Sequence, residues 1–176
     1  MQREIQLGTL AGLQLTARPS VIIGSIGLWV VLSAIGFVLV KLSIGEAIIG
    51  GLIAAGLHYA GDTFHQWGHS LAARRTGHPM IGIRYWGVLS TSIYPADEPM
   101  LPAAIHIRRA LGGPIASIGL GIIASLVALA MSSSSELYYW LVWFVAFDNL
   151  VVFGLGAWLP LGFTDGSTLL HYWNKR

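Results

Sequence analysis

The sequence predicts an all-α polytopic membrane protein with about four transmembrane helices and a short membrane-surface β-hairpin or strand pair. The first observation is compositional: 55% of the 176 residues are hydrophobic and only 10% are charged, whereas soluble domains carry about 25% charged residues. The second is that apolar segments of spanning length recur along the chain. A soluble globular enzyme, a disordered chain and a nucleic-acid module are therefore excluded.

Four segments meet the requirement of roughly 20 mostly apolar residues for a spanning helix. The predicted spans are residues 21–40, 47–71, 114–131 and 137–159. The first span lacks a small-residue cleavage pattern behind it, so we expect it to be retained and not removed as a signal peptide. A tract of four serines is expected to form a short loop after the third span. Residues 1–176 are predicted to form a single membrane domain.

The distribution of basic residues predicts the orientation of the chain. With four spans, both termini and the 72–111 loop share one side of the membrane, and every Lys and Arg except Lys41 falls on that side. Cytoplasmic loops are enriched in basic residues. We therefore expect a multi-pass protein of the cell membrane with both termini and the long loop in the cytoplasm.

Within that loop, residues 81–94 are rich in β-branched and aromatic side chains and are too short to cross the membrane as a helix. Pro95 closes the run. Such a segment predicts one or two strands at the membrane surface. An unpaired strand edge there would accept an extended peptide from a substrate or a partner subunit.

The second span carries ionisable residues where lipid-facing positions would be apolar. At 100° per residue, His58, Asp62, His65 and His69 all lie on one side of a single helix. Ionisable groups in a span are costly, so each indicates a functional site by default. His58 is a turn further from the others, and we expect it to contact a neighbouring helix. In the fourth span, a polar pair is expected to join helices by hydrogen bonds: Asp148 and Asn149.

His65 and His69 stand at positions i and i+4, which places two imidazoles on one helix face at a separation that suits one metal ion. A third ligand must come from elsewhere, and Asp165 is the best candidate. Pro160 and Gly162 predict a broken helix just before it, which is tolerated at membrane depth where backbone lines a cavity.

At this point the residues resemble the site-2 protease family of intramembrane zinc metalloproteases. Residues 64–77, which include His65-Gln66-Trp67-Gly68-His69, look like the family's HExxH helix. Residues 112–117 are similar to its glycine-proline motif, and residues 159–166 match its proline-to-aspartate-glycine spacing. The resemblance covers roughly residues 47–173. It implies His65, His69 and Asp165 as ligands of one zinc ion, and the predicted strands as a substrate-binding edge.

Three positions depart from the family pattern. Ser117 and Ala157 stand where the family usually has Asn, and Gln66 stands where it has the catalytic glutamate. In a zincin-type mechanism that glutamate accepts the proton of the metal-bound water. A glutamine amide cannot take that proton. Asp62, one turn before His65, could substitute as a base, but we expect it to orient a ligating imidazole from outside the ligand set.

The sequence therefore predicts a zinc-binding scaffold that is catalytically impaired or silent because Gln66 replaces the base, whether the replacement is natural or introduced. One alternative is a non-catalytic membrane subunit that binds or stabilises a partner membrane protein. Another is a pigment or haem binder, against which the matching motifs argue. The expected partners are membrane lipid and a transmembrane substrate or partner subunit; no nucleic acid is expected.

Overall fold

The computed structural model describes residues 4–131, 137–173 and 175. The four-serine tract predicted as a loop lies outside the described residues. The elements follow in this order: β1 (Ile5–Leu10), β2 (Leu13–Ala17), α1 (Ser20–Val38), α2 (Ile44–Arg75), β3 (Gly82–Trp86), β4 (Leu89–Ile93), α3 (Ala103–Ala130), α4 (Leu137–Phe147) and α5 (Asp165–Trp173). A π-helical segment (Asp148–Leu155) and a short 3-10 turn (Gly156–Trp158) continue from α4.

Four helical segments of the described chain are long and apolar enough to cross a membrane. They are Ser20–Val38, Ile44–Arg75, Ala103–Ala130 and Leu137–Trp158. The prediction of a mainly helical membrane protein with four spans and strands over about 81–94 is confirmed. The second helix is longer than the predicted 47–71, because Ser43 and Glu46 form a capping box at its start and Arg74 and Arg75 extend its last turn.

The third helix begins at Ala103, eleven residues before the predicted boundary at Pro114. The prediction was wrong because a proline usually ends or kinks a helix, whereas Pro114 lies inside this one. The residues before it are alanine, leucine, isoleucine and arginine for the most part, which favour helix. The connection between α2 and α3 is therefore shorter than the predicted 72–111 loop.

The fourth span changes geometry along its length. It begins as the α-helix α4, widens to π-helix over Asp148–Leu155 and tightens to a 3-10 turn over Gly156–Trp158. Residues 159–164 then form no regular structure before α5 begins at Asp165. The break falls where Pro160 and Gly162 predicted it. π-Helical segments often occur at functional sites.

The sheet has four strands in the order β1-β2-β3-β4, not the two strands that were predicted. β1–β2 and β3–β4 are antiparallel hairpins, and β2 pairs with β3 in parallel. The first hairpin was missed, although residues 5–16 alternate polar and apolar side chains around an Ala-Gly turn, which is a strand signal. Two edges result, and β4 is one of them.

Side chains of α2 hold the β3–β4 hairpin at several levels. The Tyr59 hydroxyl donates to the Gly87 carbonyl at 2.8 Å, and Thr63 Oγ1 lies 2.7 Å from the Tyr85 hydroxyl. The hairpin also packs on a buried apolar cluster between the sheet and the end of α2: Leu13, Ala17, Ala73, Met80, Ile83 and Tyr85. The helix α2 therefore positions the β3–β4 hairpin and also carries the buried histidines His65 and His69.

Candidate metal centre

Two histidines of α2 converge in the interior of the chain. His65 and His69 are one turn apart, both are buried, and their Nε2 atoms lie 3.0 Å from each other. Helical residues at i and i+4 share a face, so the helix itself brings the two rings together. Both nitrogens point toward the start of α5.

Asp165, one hundred residues along the chain from His65, completes this cluster. Its Oδ2 lies 3.2 Å from His65 Nε2 and its Oδ1 lies 3.3 Å from His69 Nε2. The preceding irregular segment is fixed locally, since the Gly162 N–H donates to Ser167 Oγ at 2.7 Å. The structure thus brings together the three residues that the sequence proposed as ligands, and they form a group that could hold a metal ion.

The spacing of these donors fits a tetrahedral zinc site. Zinc binds His nitrogen and carboxylate oxygen at about 2.0–2.2 Å, which places neighbouring ligand atoms about 3.3 Å apart in a tetrahedron. The observed separations are 3.0 Å between the two Nε2 atoms, 3.2 Å from His65 Nε2 to Asp165 Oδ2 and 3.3 Å from His69 Nε2 to Asp165 Oδ1. One ligand atom from each of the three residues lies within 4.8 Å of the other two. Gly113 of α3 leaves the necessary space, because a Cβ there would lie 2.3 Å from His69 Nε2 and 2.5 Å from His65 Nε2.

The other ring nitrogens are anchored from α3. His69 Nδ1 lies 2.8 Å from the Arg109 carbonyl and His65 Nδ1 lies 3.0 Å from Ser117 Oγ. The Gly113 N–H also lies against His69 Nδ1, at 3.2 Å. The Arg109 carbonyl is nearer and only accepts, so a hydrogen on His69 Nδ1 makes the shorter contact and leaves the Nε2 lone pair of the neutral ring for a ligand. Hydrogen bonds of this kind, made by groups that do not bind the metal, orient metal-binding histidines. The contacts that orient the two imidazoles therefore come from Ser117 and the Arg109 carbonyl, and not from Asp62 as expected.

Asp62 lies in the same cavity without taking that role. It is 2% exposed, and its Oδ2 has no hydrogen-bond partner among the described residues. Asp62 and Ser90 of β4 line the cavity together. It is thus a buried carboxylate with an oxygen that no neighbouring donor satisfies.

Gln66 lies between the two histidines in sequence and faces the sheet. Its Oε1 accepts a hydrogen bond from Ser92 Oγ of β4 at 2.7 Å, and the side chain is buried. Ser90 and Ser92 alternate along β4 and so share one face of the strand. That alternation was visible in the sequence and could have identified β4 as the strand that faces the polar side of α2.

A cavity of about 650 Å³ surrounds these groups. Its polar side is formed by α2 and by β4, whose outer edge has no strand partner among the described residues. Its apolar side comes from the end of the fourth span and the segment that follows: Val152, Phe153, Leu159, Leu161 and Phe163. The cavity therefore brings an open strand edge, an apolar wall and the three ligand candidates to one place.

Arg109 and Glu98 line the same cavity. The buried Arg109 guanidinium donates to both Glu98 oxygens, to Oε2 at 2.9 Å, and stacks over the Tyr94 ring at 4.1 Å. These hydrogen bonds from Arg109 hold the pKa of Glu98 below its ordinary value. Sequence reasoning missed Arg109, whose side chain fixes the 95–102 segment while its backbone anchors His69.

Comparison with solved structures finds a similar fold in the site-2 protease from Methanocaldococcus jannaschii. The TM-score is 0.62 with 18% sequence identity, and the match covers 96% of this chain and 70% of that chain. No protein-family model matches the sequence, and no curated protein matches it. The chain therefore has a site-2-protease-like fold, in agreement with the resemblance of its motifs.

Proposed function

We propose that this chain is a site-2-protease-like membrane protein that binds one zinc ion through His65, His69 and Asp165 and whose proteolytic activity is impaired by Gln66. The observation that carries the proposal is the convergence of the two Nε2 atoms, 3.0 Å apart, and the two Asp165 oxygens, each 3.2–3.3 Å from one of them, around the space that Gly113 leaves open. When bound, zinc supplies a Lewis acid and lowers the pKa of its water ligand to about 7.

The chain's own residues set what can follow. Ser117 and the Arg109 carbonyl hold the two imidazoles in the orientation that directs their Nε2 atoms inward. The β4 edge offers unpaired backbone groups to an extended peptide. Gln66 can donate or accept a hydrogen bond but cannot take up a proton at neutral pH. A positioned base contributes typically about 10²–10⁴-fold, so we expect the chain to be a silent or slow enzyme.

The decisive experiment restores the missing base. Glutamate is nearly isosteric with glutamine, so Gln66→Glu keeps the helix and the ligands, and Ser92 can still donate to the new carboxylate. We expect cleavage of a helix-destabilised transmembrane substrate to rise by at least about 10²-fold, with one zinc per chain before and after the change. Gln66→Met, which accepts no proton, is the matched control and should stay inactive.

Two outcomes contradict this proposal. Absence of stoichiometric zinc by elemental analysis removes the metal site. Efficient cleavage by the unchanged chain shows that another group serves as base, and Asp62→Asn is then the next change, because its free oxygen lies in the same cavity.

A non-catalytic subunit is the second candidate function. The hydrogen bond from Ser92 to Gln66 favours it, because the side chain at the position of the missing base holds β4 in place. Under this alternative, Gln66→Glu gains no activity although zinc is bound, and the β4 edge holds a segment of a partner membrane protein.

We also propose that the protein resides in the cell membrane with both termini in the cytoplasm. The chain contains no cysteine, so single cysteines can be placed freely. Lys41→Cys and Arg75→Cys lie at opposite ends of the helices, and only Lys41→Cys should react with a membrane-impermeant thiol reagent in intact cells. Equal labelling of the two variants contradicts the orientation.

A further inference from the structure

A second histidine–aspartate pair lies deeper along α2, away from the metal centre. His58 Nδ1 is 3.1 Å from each carboxylate oxygen of Asp148, and His58 Nε2 is 2.8 Å from the Val88 carbonyl. Both side chains are buried, at 5% and 3% exposure. Ionisable groups buried in a membrane span are costly and call for a function, and the proposed metal chemistry uses neither of them.

The partners of His58 determine where its protons lie. The Val88 carbonyl can only accept, so Nε2 carries a hydrogen. A further proton lies between Nδ1 and the Asp148 carboxylate, which makes the pair neutral as a whole, whichever atom holds that proton. Both ring nitrogens are thus committed to protein groups, and His58 has no lone pair left for a metal ion.

The Val88 carbonyl that His58 contacts lies in the turn between β3 and β4, and other groups hold the same turn. Gly87 in that turn has a φ of +55°, a conformation that glycine adopts readily. Its carbonyl accepts from the Tyr59 hydroxyl at 2.8 Å, and its N–H donates to Ser20 Oγ at 3.1 Å. A Cβ on Gly24 of α1 would lie 2.3 Å from the same carbonyl oxygen. The turn therefore occupies a close-fitting notch between α1 and α2.

The turn sets where β4 lies. β4 begins at Leu89, immediately after Val88, and its far end is held by the Ser92 hydrogen bond to Gln66. His58 and Gln66 are eight residues apart on α2, which is about 12 Å of helix. One helix thus fastens both ends of β4 and also carries His65 and His69.

We propose that His58 and Asp148 are positioning residues that fix β4 relative to the metal ligands, so that an extended peptide pairs with its edge in one register. This inference rests on the proposed function only in taking β4 as the peptide-binding edge. The partner it defines is a locally unwound, extended segment of a membrane protein. Neither residue touches the peptide or the metal; Asp148 acts through His58, and His58 acts through the Val88 carbonyl.

Hydrogen exchange of the full chain in detergent gives the first test. His58→Ala and Asp148→Ala should speed exchange of the amides of residues 87–92 at least about tenfold, because each leaves a buried polar group unpaired. Asp148→Asn should stay close to the unchanged chain, since an amide N–H can donate to Nδ1 while Nε2–H still donates to Val88. His171→Ala, an exposed histidine of α5, is the matched control and should have no effect on these amides.

Disulfide trapping tests the register itself. Thr91 is exposed on β4, so Thr91→Cys can be crosslinked to model transmembrane peptides that carry one cysteine at successive positions. In the otherwise unchanged chain and in Asp148→Asn, one peptide position should dominate. In Asp148→Ala the yield should spread over several positions, while zinc content stays at one per chain. A change that merely loosens the fold would lower all yields together.

Four results overturn the inference. They are unchanged exchange in both alanine variants, equal damage by Asp148→Asn and Asp148→Ala, a single dominant crosslink in Asp148→Ala, and a uniform fall of all crosslink yields in Asp148→Ala. If His58→Ala does not fold, the two Asp148 variants still decide the question. Failure of the proposed function is distinguishable, because it leaves the unchanged chain without zinc or without any crosslinked peptide while the exchange result stands.

Discussion

Two histidine–aspartate arrangements stand on the same helix and differ in what their nitrogens meet. His58 directs one nitrogen to Asp148 and the other to a carbonyl. His65 and His69 each have Nδ1 anchored from α3 and direct Nε2 toward one another and toward Asp165. The residue types are the same in both places. A ligand site is therefore recognised by nitrogen and oxygen lone pairs that no protein donor satisfies.

The electrostatics of the two sites differ accordingly. The His58 pair is neutral once it carries its protons, which suits a low-dielectric interior. In the second site, one lone-pair-bearing atom from each of three side chains lies within 4.8 Å of the others. Such a cluster is unfavourable unless protons or a cation lie between its members. The occupants that we propose for the two sites therefore differ: a proton in the His58 pair and a zinc ion in the second site.

Metal content should separate the two sites most clearly. His69→Ala removes a proposed ligand and should reduce zinc from one per chain to near zero, whereas His58→Ala should leave it at one, because His58 Nδ1 and Nε2 are both occupied by protein groups. Elemental analysis of the purified variants, with His171→Ala as the control, measures this directly. Zinc loss in the His58 variant as well would show that the two sites are not independent.

A smaller effect should follow from the anchor on His65. Ser117→Ala removes the partner of His65 Nδ1 without touching a donor atom, and losing such a contact typically weakens metal affinity about 10–100-fold. Ser117→Asn offers the same nitrogen an amide partner and should lose less. Competition with a chelator of known affinity gives the numbers. An unchanged affinity in Ser117→Ala would mean that helix packing alone orients the ring.

The sequence indicated the histidine pair and the helix break because both depend on local patterns. The i, i+4 spacing of His65 and His69 is fixed by helix geometry, and Pro160 and Gly162 act on their own neighbourhood. These features need no knowledge of how the chain folds back. The same holds for the strands over 81–94, whose composition marks them.

The partners across elements could not be predicted in the same way. That His58 meets Asp148 depends on the packing of two helices ninety residues apart in the chain, and no spacing rule specifies that distance. Every residue type has a backbone carbonyl, so the contact between the Arg109 carbonyl and His69 could not be predicted from the sequence. The early start of α3 was missed for a related reason: Pro114 suggests a boundary, and only tertiary context shows that the helix runs through it.

The smallest effect concerns the link between Glu98 and Arg109, which bears on His69 only through the Arg109 backbone. The hydrogen bonds from Arg109 lower the pKa of Glu98 from its ordinary value of 4.5. A group whose pKa is depressed by folding stabilises the fold above its unfolded value, and that contribution is lost as the pH falls through the folded value. Glu98→Gln should therefore lower the thermal midpoint by a few degrees near neutral pH, at about 2–4 °C per kcal/mol for a chain of this size. The deficit should shrink below pH about 4.5. Asp97→Asn, at an exposed neighbour, is the control and should show no such deficit.

Zinc affinity in Glu98→Gln should change less than in Ser117→Ala, because α3 holds the Arg109 carbonyl whatever its side chain does. A larger loss of zinc in Glu98→Gln would show that the guanidinium, and with it the 95–102 segment, supports the metal centre directly.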